Sequence, residues 1–249
     1  MGRPAGAELT IAAQGILMQL AHHPDMRITR RTIGRECAPL LLIDNLLEDP
    51  DRMVRKAATR QYVRHTTMFP GVRAPVPRAY QQFLEATLNP LLRECFDLAP
   101  GRFELPMCHF SLVTQSPASL HFLQRVPHID SVNRSGLATM HYLFRNAWGG
   151  TDFYRHRHTG FEYIDEARHA TYFSRLAEEA RNEPAAAAGY IDGDTPLFER
   201  VASVEGVFNR LVVYRRNSLH SGRIDNTRAL PTDPLQGRLS INTFINVAG

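Results

Sequence analysis

The stretch Pro127-His128-Ile129-Asp130 is the point around which the chain is organised. Residues two apart on a β-strand share a face, so a strand here would point the side chains of His128 and Asp130 the same way. Far downstream, Leu219-His220-Ser221 offers a second histidine. Two imidazoles and one carboxylate can hold a divalent metal on one triangular face and leave three adjacent positions open. The pattern predicts a metal site formed by His128, Asp130 and His220.

A structural or surface role is the competing interpretation of these residues. The chain contains 11 histidines and 25 acidic residues, so a His-x-Asp pair is expected somewhere by chance. Evidence for a metal therefore has to come from other parts of the sequence.

The strand predicted over Gly237–Val247 supplies such evidence, because alternation places Arg238, Ser240 and Asn242 on one face. A guanidinium offers two parallel donors to a carboxylate. Arg238 could thus bind the far end of a dicarboxylic co-substrate that chelates the metal, and Ser240 could add a hydrogen bond. The phenol of Tyr142 needs a polar partner, which the same carboxylate would provide. A surface arginine and a core tyrosine are the alternatives.

Composition permits one large folded domain and limits its partners. A chain of 249 residues, 43% of them hydrophobic, can bury a full core. No apolar run is long enough for a membrane span, and Met1–Ala7 lacks the features of a secretory signal, so a cytoplasmic protein without a membrane partner is expected. Three widely spaced cysteines favour reduced thiols. The formal charge of +4 comes from scattered basic residues, which does not favour a nucleic-acid partner.

Hydrophobic periodicity predicts the order of helices and strands. Segments with clear signals are a helix over Glu8–His22, a strand over Leu40–Ile43, a helix from Asp49-Pro50 to about Gln61, a helix over Arg78–Phe96, and strands from Phe103 onward that are interrupted by a helical insert at about 163–183. We therefore expect an N-terminal helical extension over 1–39 and a β-rich domain over 40–249.

The segment Phe69–Pro77 contains three prolines and one glycine, which predicts an extended loop. A plain connector is favoured over a loop that contacts a substrate, because functional loops are a minority of loops.

Five motifs in chain order carry a resemblance to a known family: Pro127–Asp130, His141-Tyr142-Leu143-Phe144, Gly149–Phe153, Leu219–Gly222 and Arg238-Leu239-Ser240. Together they resemble the Fe(II)/2-oxoglutarate-dependent dioxygenases, and most closely their prolyl-hydroxylase-like branch, in an uncharacterised bacterial subfamily. The resemblance implies an α+β fold with a double-stranded β-helix core of the jelly-roll or cupin-like type. Its N-terminal and inserted helices would pack outside two facing sheets.

By position, the resemblance also implies roles for single residues. It makes His128, Asp130 and His220 the iron ligands, Arg238 the anchor of 2-oxoglutarate, and Tyr142 and Ser240 its helpers. Fe(II), 2-oxoglutarate and O2 would then hydroxylate a C–H bond of an amino acid, peptide or natural product, with succinate and CO2 as products. A carboxylate at position 130, in place of glycine or alanine, argues for hydroxylation over halogenation.

Basic residues near the predicted site bear on the substrate. Arg125, Arg134, Arg155, His156, Arg157 and His158 could rim the opening. The substrate, a small molecule or a peptide, would then carry an acidic group, although a solvated strand explains the same residues equally well. The N-terminal helix could close the pocket, form a homodimer or merely pack.

Two other classes of function compete with an oxygenase. A cupin-like module could bind a metal without oxygenase activity, and a basic surface could bind nucleic acid or protein. The second is the least favoured, because the basic charge is not clustered.

Overall fold

The computed structural model describes residues 19–64, 68–99, 101–182 and 189–248. In chain order its elements are β1 (Arg27–Ile33), β2 (Ala38–Asp44), α1 (Pro50–Ala58), β3 (Gly71–Pro75), α2 (Arg78–Phe96), β4 (Arg102–Val113), α3 (Phe122–Arg125), β5 (Leu137–Tyr142), β6 (Thr151–His156), α4 (Glu166–Asn182), β7 (Phe198–Val204), β8 (Leu211–Arg215), β9 (His220–Gly222) and β10 (Arg238–Ala248).

Two antiparallel sheets form a β-sandwich. One has seven strands in the order β1-β2-β8-β5-β10-β4-β3, and the other has three in the order β7-β6-β9. Strand β2 shows how the layers arise, since its run of apolar residues is buried on both faces. Leu41 and Ile43 pack in the cluster that includes α1 and α2, whereas Leu40 and Leu42 pack with Phe153 of the small sheet. Mostly antiparallel strands with few helices give a jelly-roll-like core.

The helices cover the outer faces of the two sheets. α1 and α2 lie on the large sheet through Met53 and Leu84. The inserted helix α4 packs on the small sheet, where Tyr172 and Leu176 meet Tyr154. No helix among the described residues is both long enough and apolar enough to span a bilayer.

Residues 27–33 are a strand and not part of a helical extension. Within the described ranges, β1 forms one edge of the large sheet and pairs with β2 alone. Its sequence is largely polar and exposed, as is common for edge strands that avoid further pairing, so it carries no periodic hydrophobic signal. Most of the helix expected over Glu8–His22 lies outside the described residues, and 19–22 are not helical.

The prediction of a loop over Phe69–Pro77 is wrong for its central part. Gly71–Pro75 forms β3, the other edge of the large sheet, and pairs with β4. Proline is tolerated on edge strands because one side of the strand needs no donor. The prolines therefore indicate an edge and not an irregular segment.

A buried polar network ties β5 to α2 and to the segment before β8. The Tyr80 hydroxyl lies 3.0 Å from Nδ1 of His141, and Nε2 of His141 lies 3.2 Å from Oδ1 of Asn209. That oxygen also accepts the backbone N–H of Leu47. Nε2 must therefore donate, and Nδ1 accepts from Tyr80. Burial lowers the pKa of His141 to about 4.

His141 is expected to make the protein less stable in acid. Unfolded histidine binds a proton below its ordinary pKa of about 6.5, whereas folded His141 stays neutral down to about 4. The free energy of unfolding should therefore fall by about 2 kcal/mol between pH 7 and pH 5 on account of this residue. Urea unfolding at both pH values, in the wild type and in His141→Gln, measures the effect. Equal losses in the two proteins would contradict it.

Candidate metal centre

Three side chains converge on one point between the sheets. The donor atoms of His128, Asp130 and His220 all lie within 4.8 Å of one another. Nε2 of His220 is 3.6 Å from Oδ2 of Asp130, and Nε2 of His128 is 3.9 Å from Oδ1 of Asp130. Metal–nitrogen and metal–oxygen bonds are about 2 Å long, so these separations suit donors that share one ion.

Hydrogen bonds between backbone atoms join the segments that carry the three candidate ligands. The N–H of His128 donates to the carbonyl of His220 at 2.9 Å, and the N–H of His220 donates back at 3.0 Å. The N–H of Asp130 donates to the carbonyl of Arg216 at 2.8 Å. The sequence pattern suggests a strand at 128–130, but the structure has only an isolated bridge there, from His128 to His220 of β9. One bridge is enough to hold both side chains beside His220.

His220 is oriented so that one ring nitrogen stays available. Its Nδ1 donates to the carbonyl of Ser218 at 2.9 Å, which leaves Nε2 as the acceptor that faces Asp130. The ring packs against Tyr214, with centroids 4.6 Å apart. A backbone partner of this kind fixes the tautomer of histidines that bind metals.

A cavity of about 60 Å³ adjoins the three candidate ligands. Its walls are formed by Arg73, His128, Asp130, Ala138, Thr139, Met140, Tyr214, His220, Asn242 and Phe244. Desolvation in the cavity and the nearby His220 lower the pKa of His128 to about 4, although Asp130 opposes the shift. Neutral imidazole is the form that binds a metal.

Arg238 lies deep in the sandwich at 2% exposure. Its Nε donates to the carbonyl of Trp148 at 3.0 Å, and its Nη2 donates to the carbonyl of Gly150 at 2.7 Å. Burial lowers the pKa of this guanidinium, and the groups that oppose the shift are tyrosines. Within the described parts of the chain, Arg238 forms no ion pair with a carboxylate.

Tyr214 packs beside His220, one of the candidate metal ligands. Burial and the nearby carboxylate of Asp130 raise the pKa of Tyr214, whereas the guanidinium of Arg238 lowers it. The phenol is therefore within electrostatic reach of both groups, beside the ring of His220. The sequence does not single out Tyr214, because the residues before it on β8 are apolar and buried, as in an ordinary core strand.

Tyr142 and Ser240 lie opposite each other on β5 and β10. The Tyr142 hydroxyl is 2.7 Å from Oγ1 of Thr151, and the Ser240 hydroxyl donates to Oδ1 of Asn242 at 2.7 Å. Both side chains are buried on the inner face, as alternation along β10 predicts. The polar partner of the phenol in this structure is Thr151.

The basic residues expected at the rim mostly have acidic neighbours. Arg155 donates to Glu162 at 2.9 Å and to Glu199 at 2.8 Å, and it is buried. His156 lies 2.7 Å from Glu179. Arg157 lies 3.1 Å from Asp194, and Arg134 lies 3.9 Å from Asp165. Each of these four residues therefore has an acidic partner within the protein.

Sequence reasoning missed Arg73, whose side chain lines the metal cavity. Its position follows from two strand pairings, since Arg73 lies opposite Ser111 on β4 and Ser111 lies opposite Ser240 on β10. Such a register joins distant segments, so no local signal could have revealed it.

An antiparallel β-sandwich with two histidines and one aspartate converging beside a cavity defines a candidate facial-triad metal centre. Residues 24–245 match the model of a family described as a family of unknown function, DUF6445, and the chain belongs to that family. No curated protein matches the chain.

Solved structures similar to this chain have low sequence identity. HygX from Streptomyces hygroscopicus, with nickel and 2-oxoglutarate bound, has a TM-score of 0.49 at 12% identity and covers 86% of this chain and 84% of its own. SnoN from nogalamycin biosynthesis, a non-heme alpha-ketoglutarate-dependent epimerase, has a TM-score of 0.44 at 10% identity, with coverages of 80% and 71%.

A third similar structure is an N-substituted L-amino acid dioxygenase from Burkholderia ambifaria AMMD in complex with alpha-KG. It has a TM-score of 0.39 at 11% identity and covers 92% of this chain and 97% of its own. All three TM-scores are below 0.5, so the function has to be inferred from the site itself.

Proposed function

We propose that this protein is an Fe(II)- and 2-oxoglutarate-dependent oxygenase with a double-stranded β-helix core. The observation that carries the proposal is the convergence of His128, Asp130 and His220 beside one cavity. Imidazole and carboxylate donors on one face suit Fe(II) and leave positions for other ligands. When bound, iron would supply, with 2-oxoglutarate and O2, the oxidising chemistry that yields succinate and CO2 and hydroxylates a C–H bond of the substrate.

The residues of the chain have defined tasks in this proposal. His128, Asp130 and His220 would hold the metal, with the tautomer of His220 set by the carbonyl of Ser218. Arg238 would bind the far carboxylate of 2-oxoglutarate, assisted by Ser240. A buried cation without a carboxylate partner is costly, so an anion that binds there is strongly favoured.

Tyr142 would contribute to the same end of the pocket through its phenol. Its hydroxyl is buried and hydrogen-bonded to Oγ1 of Thr151. The phenolic O–H could turn to donate to the carboxylate, and its oxygen could then accept a hydrogen bond from Thr151. The sandwich around these groups excludes water, which strengthens each of these electrostatic contacts. The order of motifs along the chain favours the prolyl-hydroxylase-like branch, with an amino acid, peptide or natural product as substrate.

An anaerobic titration tests the proposal. Apo protein mixed with Fe(II) and 2-oxoglutarate without oxygen should develop a visible charge-transfer band, and succinate in place of 2-oxoglutarate should give none. Admission of oxygen should then produce succinate. The cupin-like alternative predicts metal binding with no affinity for 2-oxoglutarate, so the absence of a band from metal-loaded protein at saturating 2-oxoglutarate would overturn the oxygenase.

A further inference from the structure

Arg73 brings a cationic group to the metal cavity. It lines that cavity together with the three candidate ligands. Its cross-strand neighbour is Ser111, which in turn faces Ser240 on β10. Residues paired across neighbouring strands share a face of the sheet, so Arg73 points to the same inner face as Ser240. Its Nε is buried and has no hydrogen-bond partner among the described residues.

Arg216 places a second cation against Phe244, a residue of the cavity wall. Its guanidinium lies 4.2 Å from the centre of the Phe244 ring, which forms part of the cavity wall. Its Nη1 donates to Oδ1 of Asn246 at 2.9 Å. Its Nε, like that of Arg73, is buried without a partner in the described part of the chain. Both side chains therefore keep unused donors close to the cavity.

The charges of these two arginines are not balanced by a dedicated acid. Neither forms an ion pair in the described ranges, in contrast to Arg155 and Arg157. Burial lowers the pKa of both Arg73 and Arg216, and among the described residues Asp130 is the charge that opposes this shift. As a candidate metal ligand, Asp130 would share its charge with the ion.

We propose that Arg73 and Arg216 bind a carboxylate of the organic substrate beside the metal. This inference rests on the proposed oxygenase function and narrows its substrates to organic acids. Guanidinium groups bind carboxylates through short, charge-assisted hydrogen bonds with a fixed fork geometry. The chain would thus have two anion sites, with Arg238 for the co-substrate and the Arg73–Arg216 pair for the substrate.

A structural role for Arg73 is the alternative, because its guanidinium also lies 4.3 Å from the centre of the Phe69 ring. Such a contact needs a positive charge but no carboxylate. The two roles differ in what they predict for binding of an acid.

Binding of small probes to Mn(II)-loaded protein at saturating 2-oxoglutarate, without oxygen, tests the proposal. The probes are hexanoate, hexanamide and monohexyl phosphate, and the readout is paramagnetic broadening of their proton resonances. Hexanoate should bind at least about tenfold more tightly than the neutral amide, since hydrogen bonds to charged groups are the stronger ones. Arg73→Gln should weaken hexanoate about tenfold and leave 2-oxoglutarate affinity unchanged.

Variants and controls make each outcome decisive. Arg30→Gln, on the surface and paired with Glu94, should leave hexanoate binding unchanged. Arg216→Gln should repeat the effect of Arg73→Gln, and circular dichroism identifies a variant that fails to fold. Equal binding of acid and amide, or unchanged hexanoate binding in both arginine variants, would overturn the proposal.

Other outcomes separate this proposal from the oxygenase function. Tighter binding of monohexyl phosphate than of hexanoate would overturn the carboxylate assignment. Loss of 2-oxoglutarate affinity in Arg73→Gln would overturn it too, because Arg73 would then serve the co-substrate. If 2-oxoglutarate does not bind near Mn(II), the oxygenase function fails. The preference of the two arginines for hexanoate over hexanamide can then still be measured in the absence of 2-oxoglutarate.

Discussion

Replacement of His220 by alanine is expected to lower the affinity for Fe(II) by about 100-fold or more. Changes even to the outer partners of metal ligands commonly cost about 10- to 100-fold, and this change removes a ligand. The ring of His220 is buried, and its Nε2 lies 3.6 Å from Asp130, so the substitution removes one nitrogen donor from the cluster. Titration of the anaerobic apo protein against a chromophoric chelator measures the affinity.

The control for this variant is His158→Ala. His158 is exposed and lies 2.8 Å from Arg175, so its removal should leave metal affinity unchanged. The fold should survive in His220→Ala, because the two hydrogen bonds between positions 128 and 220 join backbone atoms. Equal affinities for wild type and His220→Ala would mean that the metal binds elsewhere.

Replacement of Arg238 by glutamine is expected to weaken 2-oxoglutarate binding by roughly 100-fold while Fe(II) affinity is retained. Loss of one partner of a buried, hydrogen-bonded charge pair costs about 2–5 kcal/mol, and about 2.7 kcal/mol corresponds to that factor. Arg238 is buried, without an acid partner in the described ranges, and its backbone acceptors do not neutralise it. The charge-transfer band as a function of 2-oxoglutarate concentration gives the affinity.

Two further variants show whether the effect belongs to this site. Arg228→Gln changes an exposed arginine that pairs with Asp225, and it should have no effect. Arg238→Lys keeps the positive charge but loses the fork, so it should recover only part of the affinity. Unchanged 2-oxoglutarate affinity in a folded Arg238→Gln protein would exclude Arg238 as the anchor.

The parts of the fold that sequence reasoning could reach have a strong periodic signal. Along β10, Leu239 and Ile241 belong to the core cluster beneath the helices, while Ser240 lies on the opposite face. The predicted helical insert corresponds to α4, whose buried Tyr172 and Leu176 follow helical spacing. In both elements burial is decided by neighbours a few residues apart in sequence.

Elements at the edges of the large sheet could not be predicted in this way. β1 is polar because one of its sides has no partner strand, and β3 contains Pro75, which resembles a loop signal. The ion pairs of the basic residues could not be predicted either. The acids that balance Arg155 are Glu162 and Glu199, whose proximity depends on tertiary structure.

The reciprocal hydrogen bonds between His128 and His220 bear on the thermodynamics of metal uptake. They join the backbone segments that carry the candidate ligands, and the N–H of Asp130 donates likewise to the carbonyl of Arg216. Little conformational entropy is then lost when the ion binds, since the frame is preorganised. Amide protons at these positions should exchange slowly with solvent in the apo protein, and loading with metal should slow them further by linking β9 to the segment that precedes β5.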